Sequence, residues 1–349
     1  MTILKQEEQA VFKLRSLYRQ YGYCPYKMSR FEEYELYVHN KDFLQSDQII
    51  TFSGSGGKLM ALKPDVTLSI IRHTQDLPGE VRKVYYDENV YRADGNSQNV
   101  KQIMQAGLEC VGDLGAYEIA EVVLLAAQSM ALLGEHFVLD ISHVGLTGAV
   151  LDECGLAGQR RKAALQCLRQ KNAHELRTIC SNEKLQMLVR CGGNAETALE
   201  SLEAVLSTEA ERQALTELRM LCAVLAQAGY ADRVRVDFSV GNDMKYYSGV
   251  VFKGYLEGIP TGILSGGQYD RLLKKMGRKA RAIGFAVYLS MLEGRNTQET
   301  YDIDTLILHG PDTDPAALVA EARQWAAQGT VLVAREQPRD RKWNRLITM

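Results

Sequence analysis

Apolar residues recur at helical spacing from Gln6 to Tyr21 (Val11, Leu14, Leu17, Tyr18), and Gly22 ends that run. Farther along, the period shortens. Ile49, Ile50 and Phe52 lead into Gly54-Ser55-Gly56-Gly57, and Leu59 to Leu62 lead out, which predicts two short strands around a turn. Pro64 ends the second strand, and Val66 to His73 is predicted helical. Val81 to Arg92 alternates as a strand. Gln102 to Gly112 is its expected antiparallel partner, with the polar segment Asp94 to Asn99 exposed between them. Glu118 to Leu133 predicts an apolar helix, and Phe137 to Val144 a strand.

The pattern then changes. From Gly145 to Tyr230 there is no proline and little strand signal, but long runs of Ala, Leu, Glu, Arg and Gln. This predicts an all-helical insertion at about 145–230, with Gly192-Gly193 as its clearest break. Strands are expected to resume at Val234 to Val240 and at Tyr247 to Tyr255. The chain closes with a strand (Asp304 to His309), a helix (Pro315 to Gln328, closed by Gly329) and a strand (Thr330 to Arg335). Repeats and low-complexity segments are absent from the sequence. The expected organisation is α+β: an antiparallel sheet domain over 1–295 carrying the insertion, then a small α/β unit over 296–349.

Composition narrows the classes. A length of 349 residues with 46% hydrophobic content is ample for a sizeable core. A net charge of −2 supplies no bulk attraction to RNA or an anionic membrane. Seven cysteines without C-x-x-C spacing read as reduced thiols, and six histidines without ligand spacing point to no metal. The charged start M-T-I-L-K-Q-E-E does not read as a signal peptide, and no apolar run is expected to span a membrane. The expectation is a soluble cytoplasmic protein.

Candidate chemistry lies in three places. Leu62-Lys63-Pro64-Asp65-Val66-Thr67 puts a carboxylate and a hydroxyl on neighbouring positions, where they can accept from an ammonium group. Taken alone, the same residues read as a proline-led helix cap. Arg92 of Asn89-Val90-Tyr91-Arg92-Ala93-Asp94 offers a planar guanidinium fork. Gln105 and Glu109 of Gln105-Ala106-Gly107-Leu108-Glu109 would share one face of a strand. A cross-strand pair between Arg92 and Glu109 is the plainer alternative. Finally, Val240 to Leu292 holds Tyr246-Tyr247, Gly266-Gly267-Gln268-Tyr269-Asp270 and Gly284-Phe285-Ala286. The tyrosine pair alone reads as strand aromatics, and Gly-Gly as a turn. The nearby Lys274, Lys275, Arg278, Lys279 and Arg281 read as a solvated basic loop, and Cys110 as a small core residue.

Taken together and in order, these motifs resemble the histidyl-tRNA synthetase family, from the N-terminal helix to Leu292. The resemblance implies a class II synthetase fold. It also implies a histidine pocket: Asp65 and Thr67 at the α-amino group, Arg92 and Gln105 at the polar end, Glu109 at the imidazole, and Tyr246, Tyr247 and Tyr269 lining the slot. In this resemblance Gly266-Gly267 belongs to a loop, and Gly284-Phe285-Ala286 starts the helix of the third class II motif. Two departures stand out. Met291 occupies the slot of an arginine that clamps ATP, and Asn242 that of a histidine-specific arginine. Adenylation needs fixed cations against the triphosphate, and a neutral thioether cannot serve.

A pocket kept, an ATP clamp lost and a short C-terminal unit resemble the family of regulatory subunits of short-form ATP phosphoribosyltransferase. That resemblance implies a non-catalytic subunit of histidine biosynthesis, with no cofactor. Its implied partners are a short catalytic subunit and L-histidine, in a homodimer within a hetero-oligomer, without membrane and without a tRNA role. The alternatives are a shortened active histidyl-tRNA synthetase and a stand-alone histidine- or tRNA-binding relative.

Overall fold

The computed structural model describes residues 5–39, 48–93, 99–240, 247–292 and 301–349. Tyr246, Asn242 and Asp94 lie outside the described residues. Two compact units separate at residue 292.

The first unit begins with helix α1 (Gln6–Gln20), whose stripe Ala10, Val11, Leu14 and Tyr18 is buried. There follow β1 (Cys24–Pro25), β2 (Phe31–Glu33), α2 (Glu35–Val38), β3 (Thr51–Ser53), β4 (Leu59–Leu62), α3 (Thr67–Arg72), β5 (Val81–Ala93), β6 (Val100–Gly112), α4 (Ala116–Leu133) and β7 (Phe137–His143). The insertion is helical as expected: α5 (Val144–Glu153), α6 (Gly158–Arg169), α7 (Ala173–Ile179), α8 (Glu183–Arg190), α9 (Ala195–Glu203) and α10 (Glu209–Gln227). Gly192-Gly193 falls between α8 and α9. The chain returns through β8 (Val234–Val236), β9 (Val250–Leu256), β10 (Leu264–Gln268), α11 (Asp270–Lys275) and β11 (Arg281–Tyr288).

Among the described residues, eight strands form the main sheet in the order β1-β5-β6-β11-β10-β9-β7-β8. The two edge pairings, β1 with β5 and β7 with β8, are parallel, and the inner pairings are antiparallel. Register separates two faces. The row Tyr85–Leu108–Phe285–Gly266–Phe252–Ile141 points into the main core, with α1 and α4 packed on that side. The adjacent row, Val84–Glu109–Gly284–Gly267–Val251–Ser142, points to the opposite face. A strand's two-residue period thus puts the apolar core and the candidate site back to back.

Four expectations need correction. Gly284-Phe285-Ala286 does not start a helix but lies inside strand β11, and the described helical turn comes only at Leu289–Leu292. Ala282, Ile283, Gly284, Phe285 and Val287 are buried between β6 and β10, and a run covered on both faces reads equally well as helix or strand. Gly266 and Gly267 likewise belong to strand β10 rather than to a loop. The strands expected at 234–240 and 247–255 are Val234–Val236 and Val250–Leu256, and the first gives way to a turn in which the Asp237 carboxylate accepts from the backbone N–H of Ser239. Lastly, α4 does match a membrane span in length and hydropathy. Its Val122, Val123, Leu125, Ala126, Ala127 and Met130 are instead buried in the core.

The described C-terminal unit is a parallel sheet ordered β13-β12-β14, from β12 (Ile303–Leu308), β13 (Val331–Ala334) and β14 (Trp343–Thr348). Helix α12 (Pro315–Ala326) is capped by the Asp314 carboxylate, which accepts from the N–H groups of Ala316 and Ala317 at 3.2 Å. The strand–helix–strand order was legible. The third strand was not, since Trp343–Thr348 mixes exposed polar and apolar residues without a clear period.

Inside the insertion, Lys184 of α8 is buried and reaches three side chains. It donates to Glu211 of α10 at 2.9 Å, to the Ser207 hydroxyl at 2.8 Å, and to Glu153 of α5. Glu211 is fully buried and also accepts from the backbone N–H groups of Ser207 and Thr208 at 2.9 Å. Removing one partner of such a pair leaves the other charge buried and uncompensated. Lys184→Met is therefore expected to cost roughly 3–5 kcal/mol, read as a lowered urea midpoint by circular dichroism. A change within experimental error would mean that the insertion does not depend on this junction.

Candidate functional site

The site is built around Glu109, which is 2% exposed in the middle of β6. One carboxylate oxygen accepts from the Thr67 hydroxyl at 2.6 Å, and the other accepts from the Tyr269 hydroxyl. Its neighbour across β11 is Gly284, and a Cβ there would fall 1.7 Å from Glu109 Oε2. Only glycine leaves the carboxylate room to lie along the sheet. The next residue in the row is Gly267, where a Cβ would meet the Tyr247 ring at 2.8 Å. Two glycines side by side on adjacent strands thus make a furrow, with the Glu109 carboxylate in one half and Tyr247 over the other.

Burial pushes the Glu109 carboxyl up to about 8. The Thr67 and Tyr269 hydrogen bonds oppose that rise, and the nearby Asp65 carboxylate adds to it. Tyr269 is itself held well above the usual tyrosine range by burial and by Glu109.

Asp65 performs the capping role that the residues alone suggested. Its carboxylate accepts from the backbone N–H of Leu68 at 2.9 Å, at the start of α3. Burial raises its pKa, while the Leu68 N–H and Arg92 act the other way. Arg92 Nε donates to the Pro64 carbonyl at 3.0 Å, so its guanidinium fastens the Lys63–Thr67 segment to β5. The same segment is held by the Tyr91 N–H to the Lys63 carbonyl at 2.8 Å, and by buried Lys63 to Glu88 at 2.7 Å. An Arg92–Glu109 cross-strand pair is excluded by register. Arg92 faces Lys101, and Glu109 faces Val84.

Gln105 is buried on the same face as Glu109, four residues back along β6. At about 3.4 Å per residue the two lie roughly 13 Å apart, with Gly107 between them. Tyr86 packs over that glycine, where a Cβ would meet its hydroxyl at 2.7 Å. Tyr86 was not among the sequence candidates, although it lies six residues before Arg92 and therefore on the same face of β5. Its pKa is driven well up by burial, with Glu109 and Asp65 adding to the effect. Asp65, Thr67, Arg92, Gln105, Glu109, Tyr247 and Tyr269 thus lie on one side of the sheet, joined by Tyr86. Met291 stands apart as a 38% exposed thioether, 3.6 Å from the Thr261 hydroxyl. The expected basic loop is not a loop throughout: Lys274 and Lys275 end α11 and Arg281 begins β11, while Arg278 is paired with Asp76 and Arg281 with Asp270.

The sequence profile of histidyl-tRNA synthetase matches residues 3–292. The chain belongs to the histidyl-tRNA synthetase family. Within that family it is similar to an ATP phosphoribosyltransferase regulatory subunit from Oceanobacillus iheyensis, 24% identical over 343 residues that cover 94% of this chain and 84% of that protein. A crystal structure of an ATP phosphoribosyltransferase regulatory subunit/histidyl-tRNA synthetase from Bacillus halodurans superposes with a TM-score of 0.74 at 25% identity, covering 100% of this chain and 96% of that one. A chain of the ATP phosphoribosyl transferase complex from Thermotoga maritima shares the fold, with a TM-score of 0.65 at 19% identity over 82% of this chain and 98% of its own. The expected class II synthetase fold and the expected kinship with the regulatory subunits both hold.

Because the folded pKa of Glu109 lies above its ordinary value of 4.5, the stability this group contributes is full below about pH 4.5 and is lost as pH rises through about 8. Asp140 shifts the same way but only to about 6, so it has titrated before the upper half of that window. Between pH 6 and pH 8.5 the wild type is expected to lose roughly 2 kcal/mol more stability than Glu109→Gln. Urea midpoints at the two pH values measure the difference. Parallel curves would show that Glu109 is already ionised in the folded chain.

Proposed function

We propose that this chain is a regulatory subunit of an ATP phosphoribosyltransferase, without chemistry of its own, and that it binds L-histidine in the furrow beside Glu109. The observation that carries the reading is the contrast between two expected positions. The Thr67 and Tyr269 hydroxyls converge on the buried Glu109 carboxyl, with the Tyr247 ring over the neighbouring Gly267, while the position expected to clamp ATP holds the exposed thioether of Met291. A carboxyl poised near neutrality can meet an imidazole in two ways. It can donate its proton to form a carboxylate–imidazolium pair, or it can share that proton with a neutral ring. Asp65 and Thr67 would meet the α-amino group, with Arg92 and Gln105 at the carboxylate end. Tyr246 completes the proposed set.

The names of the relatives support a partner that carries the catalysis, namely a short ATP phosphoribosyltransferase catalytic subunit. Histidine would then act as an end-product signal. It inhibits only if it binds the inactive arrangement of the assembly better than the active one. We read the chain as a cytoplasmic homodimer within that hetero-oligomer. We also read the region 296–349 as a counterpart of an anticodon-binding domain, with no role for tRNA.

Calorimetry with the purified chain is expected to detect L-histidine binding, and pyrophosphate exchange with histidine and ATP to give no turnover. Exchange at a synthetase-like rate would favour a shortened, active histidyl-tRNA synthetase instead. With the catalytic subunit added, transferase activity should appear and should fall when histidine is supplied. Sedimentation of the chain alone is expected to show a dimer at micromolar concentration, and a monomer would count against the symmetric assembly.

A further inference from the structure

Asp270 follows Tyr269 directly, and its carboxylate joins the turn that carries this tyrosine to strand β11 and to Gln268 of strand β10. One oxygen accepts from the backbone N–H of Ala282 at 2.9 Å. The other accepts from Gln268 Nε2 at 2.6 Å and from Arg281 Nε at 3.3 Å. Arg281 is anchored in turn on the Leu114 carbonyl at 2.8 Å. The backbone N–H of Asp270 donates to the Ser248 hydroxyl at 3.1 Å, and that of Tyr269 to the Ala282 carbonyl at 2.8 Å. Five hydrogen bonds therefore fix the backbone on either side of Tyr269, and none of them involves its hydroxyl. That hydroxyl is spent on Glu109.

A tyrosine ring is a lever about 6.5 Å long from Cα to hydroxyl, so a small rotation of its backbone moves the hydroxyl out of hydrogen-bonding range. We propose that Asp270 is a positioning residue: its carboxylate, held by Gln268, Arg281 and the Ala282 N–H, aims the Tyr269 hydroxyl at Glu109 and so sets how that carboxyl receives a ligand. The inference rests on the Glu109 furrow being the ligand site, but it can be tested without any ligand. Glu109 is faced by Thr67 and Tyr269 through hydrogen bonds and by the charges or rings of Asp65 and Tyr86, and Arg92 acts through Asp65. Of these, only Tyr269 is held by Asp270.

The test is infrared titration of the ligand-free full chain, with Glu109→Gln subtracted to isolate the Glu109 carboxyl stretch. In the wild type the band is expected to vanish with a midpoint near 8. In Asp270→Asn the midpoint should rise by roughly 0.5–1 pH unit, the effect of losing one hydrogen bond to a carboxylate. Tyr269→Phe should show the same rise, and the double variant no more than either single one. A merely structural role for Asp270 would lower thermal stability and leave that midpoint in place, and this result would overturn the proposal. If Asp270→Asn does not fold, Gln268→Leu is read instead. It keeps Asp270 but removes the 2.6 Å bond, and an unmoved midpoint there overturns the proposal equally. Calorimetry with L-histidine supplies the second arm. Asp270→Asn should weaken binding about three- to tenfold, in step with Tyr269→Phe. A wild type that binds no histidine, with the infrared shift still present, would sink the ligand reading and leave the positioning role standing.

Discussion

The carboxyl of Glu109 can exist where it does because the sheet gives up two side chains beside it. Gly284 and Gly267 stand next to each other on neighbouring strands, and the volume they vacate takes the carboxylate and the Tyr247 ring. A buried carboxyl is costly unless it is hydrogen bonded, and this one is served by Thr67 from helix α3 and Tyr269 from the end of β10. Three distant stretches of sequence must therefore be in register before the group is satisfied. The rest of the site follows from that requirement.

Around this centre, the candidate residues divide into those that face the furrow and those that hold others in place. Asp65 caps α3 and so fixes Thr67 two residues later. Arg92 and Lys63 fasten the same segment to β5, through the Pro64 carbonyl and through Glu88. Asp270 does the equivalent work for Tyr269. A site with so many tethers is largely preorganised. A ligand entering the furrow must compete with bonds that already satisfy Glu109, and the energy of that exchange is what could be passed on to a partner subunit.

Stability is handled elsewhere. The apolar face of the same sheet packs on α1 and α4, and the insertion carries its own buried ionic junction at Lys184 and Glu211. Because adjacent rows of a sheet point to opposite faces, the polar furrow does not interrupt the core behind it. Leu108 and Glu109 are consecutive, yet one lies in the main hydrophobic cluster and the other in the candidate site.

Much of this was legible in the sequence by itself. Periodicity located the N-terminal helix, the β5–β6 hairpin and the strand–helix–strand order of the C-terminal unit, and the absence of proline and the scarcity of strand signal located the helical insertion. The spacing of Gln105 and Glu109 put both on one face, since side chains two apart along a strand always share a side. What local pattern could not decide was the role of runs that are buried on both faces. The resemblance implied a helix start at Gly284-Phe285-Ala286, and the short apolar run could not correct it, because nothing in such a run separates helix from central strand; only pairing with β6 and β10 settles it. Cross-strand register likewise lay beyond the sequence. It separated Arg92 from Glu109, brought Tyr86 over Gly107, and set Gly284 under the Glu109 carboxyl. Those contacts join residues far apart in the chain, and no periodicity within one segment encodes them.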